Sequence, residues 1–186
     1  YNRSIQNINL LNAVKKFISD NGLGSGGTRN ISGTTSIHRR LETKVANLHN
    51  KDSGLLFNSG YVANLATMES LGKIFPNSTI YSDQQNHASI IKGIQLSNCE
   101  KIIFPHNDMN YLEDKLKINN KNKIIVVESM YSMDGSITNF EDIVFLKKKY
   151  NALTFIDEIH SVGLYGKSGG GLSEQFNVNE DFDIIM

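Results

Sequence analysis

The sequence contains a single cysteine, Cys99, and carries no excess of charge of either sign. One cysteine excludes an internal disulfide and fits a protein of a reducing compartment. Lys plus Arg and Asp plus Glu each number 19, so the net charge is zero. No apolar run approaches the roughly 20 residues that span a bilayer. We therefore expect neither a nucleic acid nor a membrane as a partner.

The chain also lacks a starting methionine and, in its first stretch YNRSIQNINLL, the basic-then-apolar pattern of a secretory signal. Its last residues, DFDIIM, look like a strand that has only begun. We interpret the sequence as a fragment. A bacterial cytoplasm, or a mitochondrial matrix in a eukaryote, fits the absence of a secretory signal and the single cysteine.

Beyond an N-terminal helical segment, 1–21, and a second helix from about residue 36, short apolar runs alternate with helix-like segments. Apolar strands separated by helices predict βαβ units, and hence an α/β fold whose mostly parallel sheet is covered by helices on both faces. The predicted strands are 53–59, 78–83, 101–104, 123–129 and 152–157, and the predicted helices between them are 61–74, 87–97, 109–118 and 140–150.

Polar residues follow four of the five predicted strands at the point where each strand ends. In parallel sheets, ligands bind just beyond the carboxyl ends of the strands. The four endings therefore predict one functional site along one edge of the sheet. They are Asn58-Ser59-Gly60, Ser82-Asp83, Glu128-Ser129 and Asp157-Glu158.

Two nucleotide-binding interpretations have partial support. LTFIDE has the form of a Walker-B strand, but the glycine-rich GLGSGGT lacks the Gly-Lys-Ser/Thr that a phosphate loop needs. GLGSGG has the spaced glycines of a dinucleotide fingerprint, but it follows a helix rather than a strand. Both interpretations are therefore weak.

A third interpretation is a pyridoxal 5'-phosphate site, which needs a carboxylate against the ring nitrogen, a donor to the ring hydroxyl and a flat group on the ring face. Asp157 at a strand end suits the first role, His160 the second and His87 the third. Gly60 and Tyr61, at a strand-to-helix turn, offer backbone amides to the phosphate. Asp157, His87 and His160 are thus the candidate catalytic residues.

Longer motifs strengthen this third interpretation. The stretches GSGGTRNISGT, LHNKDSGLLFNSGYVAN, YSDQQNHASIIKGI, ESMYSMDGSI and FIDEIHSVGLYGKSGGG together resemble the α-oxoamine synthases. These are fold-type I pyridoxal-phosphate enzymes that condense an amino acid with an acyl-CoA. The resemblance runs over 22–186 and implies that this segment is the N-terminal part of the family's large, cofactor-binding domain.

The resemblance also implies roles for further residues. Ser132 would contact the cofactor beside the five residues already named, and Glu128 would support that wall of the site. Ser82 and Lys101 match positions that bind the acyl-CoA. Thr28 and Asn30 match substrate-binding positions that reach across from the partner subunit of a homodimer. No residues are singled out as a metal site.

The activity implied by the resemblance is condensation of glycine with succinyl-CoA, with release of CoA and CO2. Two alternatives stay open: another activity of the family, such as that of 2-amino-3-ketobutyrate CoA ligase, and a non-catalytic subunit. In this family the lysine that links the cofactor follows the strand after DFDII, so we expect it, and the C-terminal domain, beyond Met186. We expect the 186-residue piece alone to be inactive.

Overall fold

The computed structural model describes residues 6–186, so residues 1–5 of the predicted N-terminal segment lie outside the described part. That part contains seven helices and five strands, which alternate from α3 onward. The helices are α1 (Ile8–Asn21), α2 (Ser36–Leu48), α3 (Gly60–Ile74), α4 (Ala88–Ser97), α5 (Met109–Lys117), α6 (Phe140–Tyr150) and α7 (Leu172–Gln175), and the strands are β1 (Ser78–Asp83), β2 (Glu100–Phe104), β3 (Asn122–Glu128), β4 (Leu153–Asp157) and β5 (Ile184–Ile185).

The five strands form one parallel sheet in the order β2-β1-β3-β4-β5. Successive side chains of a strand point to opposite faces, and the central strands β1, β3 and β4 are largely buried on both. In β3, for example, Ile124 and Val126 pack on one side while Ile125 and Val127 pack on the other. This explains the apolar run of β3, and the parallel sheet confirms the predicted α/β fold class.

A separate hydrophobic cluster covers each face of the sheet. Helices α3 and α4 supply Met68, Leu71, Ile90 and Ile94 to one cluster. Helices α5 and α6 supply the other, with Leu112, Leu116, Phe140, Ile143 and Leu146. The chain therefore has the helix–sheet–helix layering of a doubly covered parallel sheet.

The predicted strand at 53–59 is wrong. This segment has no regular secondary structure, and the backbone groups of Leu56 bond to side chains instead of a neighbouring strand. The Leu56 N–H donates to Glu42 Oε1 at 3.0 Å, and the Leu56 carbonyl accepts from Arg29 at 3.2 Å. Glu42 is buried and is itself paired with Arg29 at 2.7 Å. These side chains meet the hydrogen-bonding needs that a sheet partner would otherwise meet.

The register brings the strand ends to one edge. Ser82 of β1 lies opposite Val126 of β3, and Glu128 of β3 lies opposite Asp157 of β4. Helix α4 begins at the same edge, because its N-cap His87 follows β1 closely. None of the helices in the described range 6–186 is both long and apolar enough to cross a membrane.

Candidate functional site

Two carboxyl groups lie side by side where β3 and β4 end. Asp157 and Glu128 are in register, and each is almost entirely buried, with exposed fractions of 2% and 1%. Burial, and then repulsion from Asp157, raises the pKa of Glu128 to about 7. Glu128 Oε1 also accepts a hydrogen bond from the backbone N–H of His87. The end of β3 is thereby tied to the start of α4.

Asp157 is held by two donors. Asn64 Nδ2 donates to Asp157 Oδ2 at 2.8 Å, and the Ile159 N–H donates to Asp157 Oδ1 at 2.9 Å. Burial raises the pKa of Asp157, while these two hydrogen bonds and the nearby His160 and His87 lower it. Asp157 is therefore a buried carboxyl group whose charged form depends on neighbouring hydrogen-bond donors and imidazoles.

His87 belongs to the same cluster. Its Nδ1 lies 2.7 Å from Ser89 Oγ, and Ser89 Oγ in turn accepts from Asn64 Nδ2 at 3.0 Å. The edge of Tyr61 lies against the imidazole, with ring centroids 6.3 Å apart and planes at 83°. His87 is exposed, so one side of its ring is available to a ligand at the sheet edge.

The structure thus brings together the three predicted catalytic residues. His87 and His160 both act electrostatically on Asp157, although the three are separated by up to 73 positions in the sequence. A buried carboxylate beside two imidazoles at the carboxyl edge of a parallel sheet can bind a flat, nitrogen-containing ring. The acid would hold a ring N–H, and the imidazoles could contact the ring's face and polar substituent.

The remaining predicted cofactor residues lie at the start of α3 and in the loop after β3. Gly60 is the first residue of α3, after the N-cap Ser59, and Tyr61 is 48% exposed. Amide groups at this helix start are available for an anion. Ser132 is exposed in the loop after β3.

Ser132 lies in a loop that is anchored to the end of β1. His106 Nδ1 lies 3.0 Å from Asp83 Oδ1, and His106 Nε2 lies 2.8 Å from Ser136 Oγ. Tyr131 packs edge-on against the same imidazole, with centroids 4.5 Å apart. The imidazole therefore joins the loop that carries Ser132 to the sheet edge.

The predicted substrate residues do not form one group with the cluster around Asp157. Ser82 is buried and accepts from Asn86 Nδ2 at 2.8 Å. Lys101 stands on the outer strand β2, in register with Ile80. Thr28 and Asn30 are exposed in the loop before α2. Their substrate-binding roles stay predictions.

Sequence analysis missed Asn64 and Ser89, the two residues that connect Asp157 to His87. Asn64 is 2% exposed and Ser89 is 1% exposed. The available signal was an asparagine at the fifth position of a predominantly apolar helix, GYVANLATM, because a buried amide needs polar partners. Those partners lie 25 and 93 positions away and cannot be read from local spacing.

Comparison with known proteins identifies the family of the chain. The family model described as aminotransferase class I and II matches residues 2–186. A protein of Rickettsia conorii named 5-aminolevulinate synthase is 54% identical over 167 residues, which are 89% of this chain and 40% of that protein. A Bos taurus protein named erythroid-specific, mitochondrial 5-aminolevulinate synthase is 47% identical over 95% of this chain and 30% of its own length. The chain thus spans less than half the length of these relatives.

A solved structure shares the fold. A serine palmitoyltransferase of S. paucimobilis, solved with a bound PLP–myriocin aldimine, superposes with a TM-score of 0.90 at 29% identity. The match covers 97% of this chain and 45% of that protein. The parallel sheet described above is therefore the sheet of a pyridoxal-phosphate transferase fold.

Proposed function

Because this chain belongs to the aminotransferase class I and II family, we propose that it is part of a pyridoxal 5'-phosphate-dependent acyltransferase. The proposed reaction condenses glycine with succinyl-CoA to give 5-aminolevulinate, CoA and CO2, a step of tetrapyrrole and haem biosynthesis. The names of the Rickettsia and Bos relatives support the substrates. The observation that carries the proposal is the buried Asp157 carboxyl group with His87 and His160 in its surroundings.

The donor set fits the cofactor. When bound, pyridoxal phosphate supplies a protonated ring that withdraws negative charge from the substrate's α-carbon. Asp157 would keep the proton on the ring nitrogen, and that cationic N–H would compensate the cost of burying the carboxylate. His87 would lie on the ring face and His160 would donate to the ring hydroxyl.

The phosphate would be bound by the start of α3, where Gly60 and Tyr61 present backbone amides, with Ser132 adding a contact from the loop after β3. A helix N-terminus stabilises anions through its unpaired N–H groups and its dipole. A glycine at the helix start also leaves room for close approach, since a Cβ there would meet only Met186 at 3.7 Å or more.

The substrates would be bound by residues outside that cluster. We propose that Ser82 and Lys101 contact the acyl-CoA, and that Thr28 and Asn30 reach the site of a second copy in a homodimer. The exposure of Thr28 and Asn30 is compatible with such a contact. The segment 22–186 would then be the N-terminal part of a larger domain, with the cofactor-linking lysine supplied by chain beyond it, and the isolated piece would be inactive.

The location proposed for the protein is the cytoplasm of a bacterium, or the mitochondrial matrix if the source is eukaryotic. Both are supported only by the relatives, one set from Rickettsia and one named mitochondrial. Immunolocalisation with a matrix or cytosolic marker in the source cell would test it.

The function is tested with Asp157→Asn in the complete polypeptide, assayed for 5-aminolevulinate from glycine and succinyl-CoA. The amide keeps the shape of the side chain but cannot hold the ring proton. We expect kcat/KM to fall by at least about 100-fold, the loss that corresponds to about 3 kcal/mol for breaking a buried charge pair.

Asp183→Asn is the matched control, because Asp183 is also a hydrogen-bonded carboxylate of the sheet region but lies at the start of β5, paired with Lys147 at 2.9 Å. We expect it to stay within about threefold of the wild type. An active Asp157→Asn protein would contradict the cofactor site. A wild type that prefers acetyl-CoA to succinyl-CoA would favour the ketobutyrate ligase activity, and an inactive wild type would favour a non-catalytic subunit.

A further inference from the structure

We propose that Asn64 and Ser89 are positioning residues that join Asp157 and His87 into one hydrogen-bonded relay. The relay fixes the position of Asp157, which would bind the ring nitrogen, relative to that of His87, which would lie on the ring face. This inference rests on the proposed pyridoxal-phosphate function. It concerns two side chains that touch neither substrate nor cofactor in that proposal.

The relay begins with the Asn64 amide. Its Nδ2 carries two hydrogens, and it lies 2.8 Å from Asp157 Oδ2 and 3.0 Å from Ser89 Oγ. A carboxylate can only accept, so the amide must turn its NH2 group toward Asp157. Both hydrogens are then used, one for each neighbour. The Asn64 Oδ1 atom is buried without a hydrogen-bond partner among the described residues, which lowers the stability of the fold.

The second step runs from Ser89 to His87. Because Ser89 Oγ accepts from Asn64, its own hydrogen is free to donate to His87 Nδ1, 2.7 Å away. The Ser89 backbone N–H also points to His87 Nδ1, at 3.2 Å. Two donors on Nδ1 make that atom the acceptor and place the imidazole proton on Nε2. The relay therefore fixes both the orientation and the tautomer of His87.

Close packing of α3 and α4 holds the relay together. Ser89 and Gly93 lie one turn apart on α4, and Asn64 and Met68 lie one turn apart on α3, so each pair shares a helix face. A Cβ on Gly93 would lie 2.8 Å from Met68 Cβ and 3.1 Å from the Asn64 carbonyl oxygen. Only glycine permits this approach, which brings Ser89 within reach of the Asn64 amide.

The test uses two substitutions in the complete polypeptide loaded with pyridoxal phosphate. Asn64→Leu keeps the branching of the side chain at Cγ and removes both donors, and Ser89→Ala removes the link to His87 while leaving the Asn64–Asp157 hydrogen bond. The measurements are the dissociation constant of pyridoxal phosphate, the visible circular dichroism of the bound cofactor, and its absorbance from pH 5 to 9. Charged and titratable groups that face Asp157 are His87, His160 and Glu128, and neither substitution removes any of the three.

We expect Asn64→Leu to weaken cofactor binding by about tenfold and to move the pH midpoint of the absorbance by about one unit, because a hydrogen bond to the charged carboxylate is lost. Ser89→Ala should leave the midpoint in place, weaken binding about threefold, and change the circular dichroism, since only His87 is released. The double variant should bind no more than about twofold more weakly than Asn64→Leu, because residues of one network are not additive.

Thr154→Val is the matched control. Thr154 is 1% exposed and its hydroxyl donates to Asp183 at 2.9 Å, on the same strand as Asp157 but at its other end. It should lower thermal stability while leaving the cofactor measurements unchanged. Multiplicative effects of the two substitutions, or an unchanged midpoint in Asn64→Leu, would overturn the relay. If Asn64→Leu does not fold, a wild-type circular dichroism spectrum in Ser89→Ala overturns it. A wild type that binds no pyridoxal phosphate refutes the proposed function instead.

Discussion

The most consequential single residues are the two adjacent carboxyl groups at the ends of β3 and β4. Glu128 and Asp157 face each other in register, and burial disfavours the charged form of both. Asp157 has the donors that favour its ionisation, namely Asn64 and the Ile159 N–H. Glu128 has one, the His87 N–H. The pKa of each acid is raised, and that of Glu128 reaches about 7.

The raised pKa of Glu128 predicts that the free energy of unfolding depends on pH. The ordinary pKa of a glutamate is 4.5 and that of Glu128 in the folded protein is about 7, so the native state binds an extra proton between these limits. The resulting stability is present below pH 4.5 and is lost as pH rises through about 7. Glu128→Gln should abolish up to about 3 kcal/mol of this decrease in the free energy of unfolding. Urea denaturation from pH 5 to 8, without added cofactor, measures it, and equal slopes for the two proteins would contradict it.

At the level of elements, the main feature is the connection between α2 and α3, which runs extended without joining the sheet. Two side chains bind this connection at Leu56. Arg29 donates to the Leu56 carbonyl, and Glu42 accepts from the Leu56 N–H. The Leu56 N–H and the Arg29 guanidinium lower the pKa of Glu42. The connection sets where α3 begins, and with it Gly60 and Asn64.

We therefore predict that Glu42→Ala lowers the free energy of unfolding by about 2 kcal/mol, because charge-assisted hydrogen bonds to Leu56 and Arg29 are lost together. The Glu42 contribution is present above pH 4.5 and is lost as pH falls through its depressed pKa. The control is Glu69→Ala, which breaks the exposed pair with Lys73 at 2.7 Å and should cost less than about 0.5 kcal/mol. Equal losses in thermal or urea denaturation would refute the assignment.

On the scale of the whole molecule, stability is concentrated in the centre of the sheet and declines toward its edges and the N-terminal helix. Strands β1, β3 and β4 have neighbours on both sides, whereas β2 and β5 are outer strands. A cavity of about 670 Å³ lies beside β5, lined in part by Val45, Leu56 and Met186. None of the residues of α1 is buried within the described chain.

Hydrogen exchange of the 186-residue chain should follow this order. We expect the amides of β3 and β1 to exchange slowest and those of α1 fastest among the helices longer than one turn, because a 14-residue helix without packing is marginal in water. Mass spectrometry of peptides from each element measures this. Protection of α1 equal to that of β3 would show that its apolar face is covered, and uniformly fast exchange would show that the chain does not fold alone.

The amino-acid pattern by itself determined the alternation of elements, the parallel sheet and the edge at which polar residues gather. These features follow from local rules. Strands buried on both faces are apolar without alternation, which is typical of central parallel strands, and the carboxyl ends of parallel strands lie at one edge of the sheet. The same pattern predicted a strand at 53–59, because an apolar run does not reveal whether its backbone will find a strand or the side chains of Arg29 and Glu42.

Only the tertiary structure decided how Asp157 and His87 are held. Their connection passes through Asn64 and Ser89, two ordinary helix residues whose partners are set by the approach of α3 to α4 at Gly93. The pKa of each carboxyl group was also a tertiary matter, because it depends on the burial, the neighbouring groups and the donors that folding brings to each side chain. Sequence spacing specifies faces and edges, but hydrogen bonds between distant elements form only once packing fixes the distances between them.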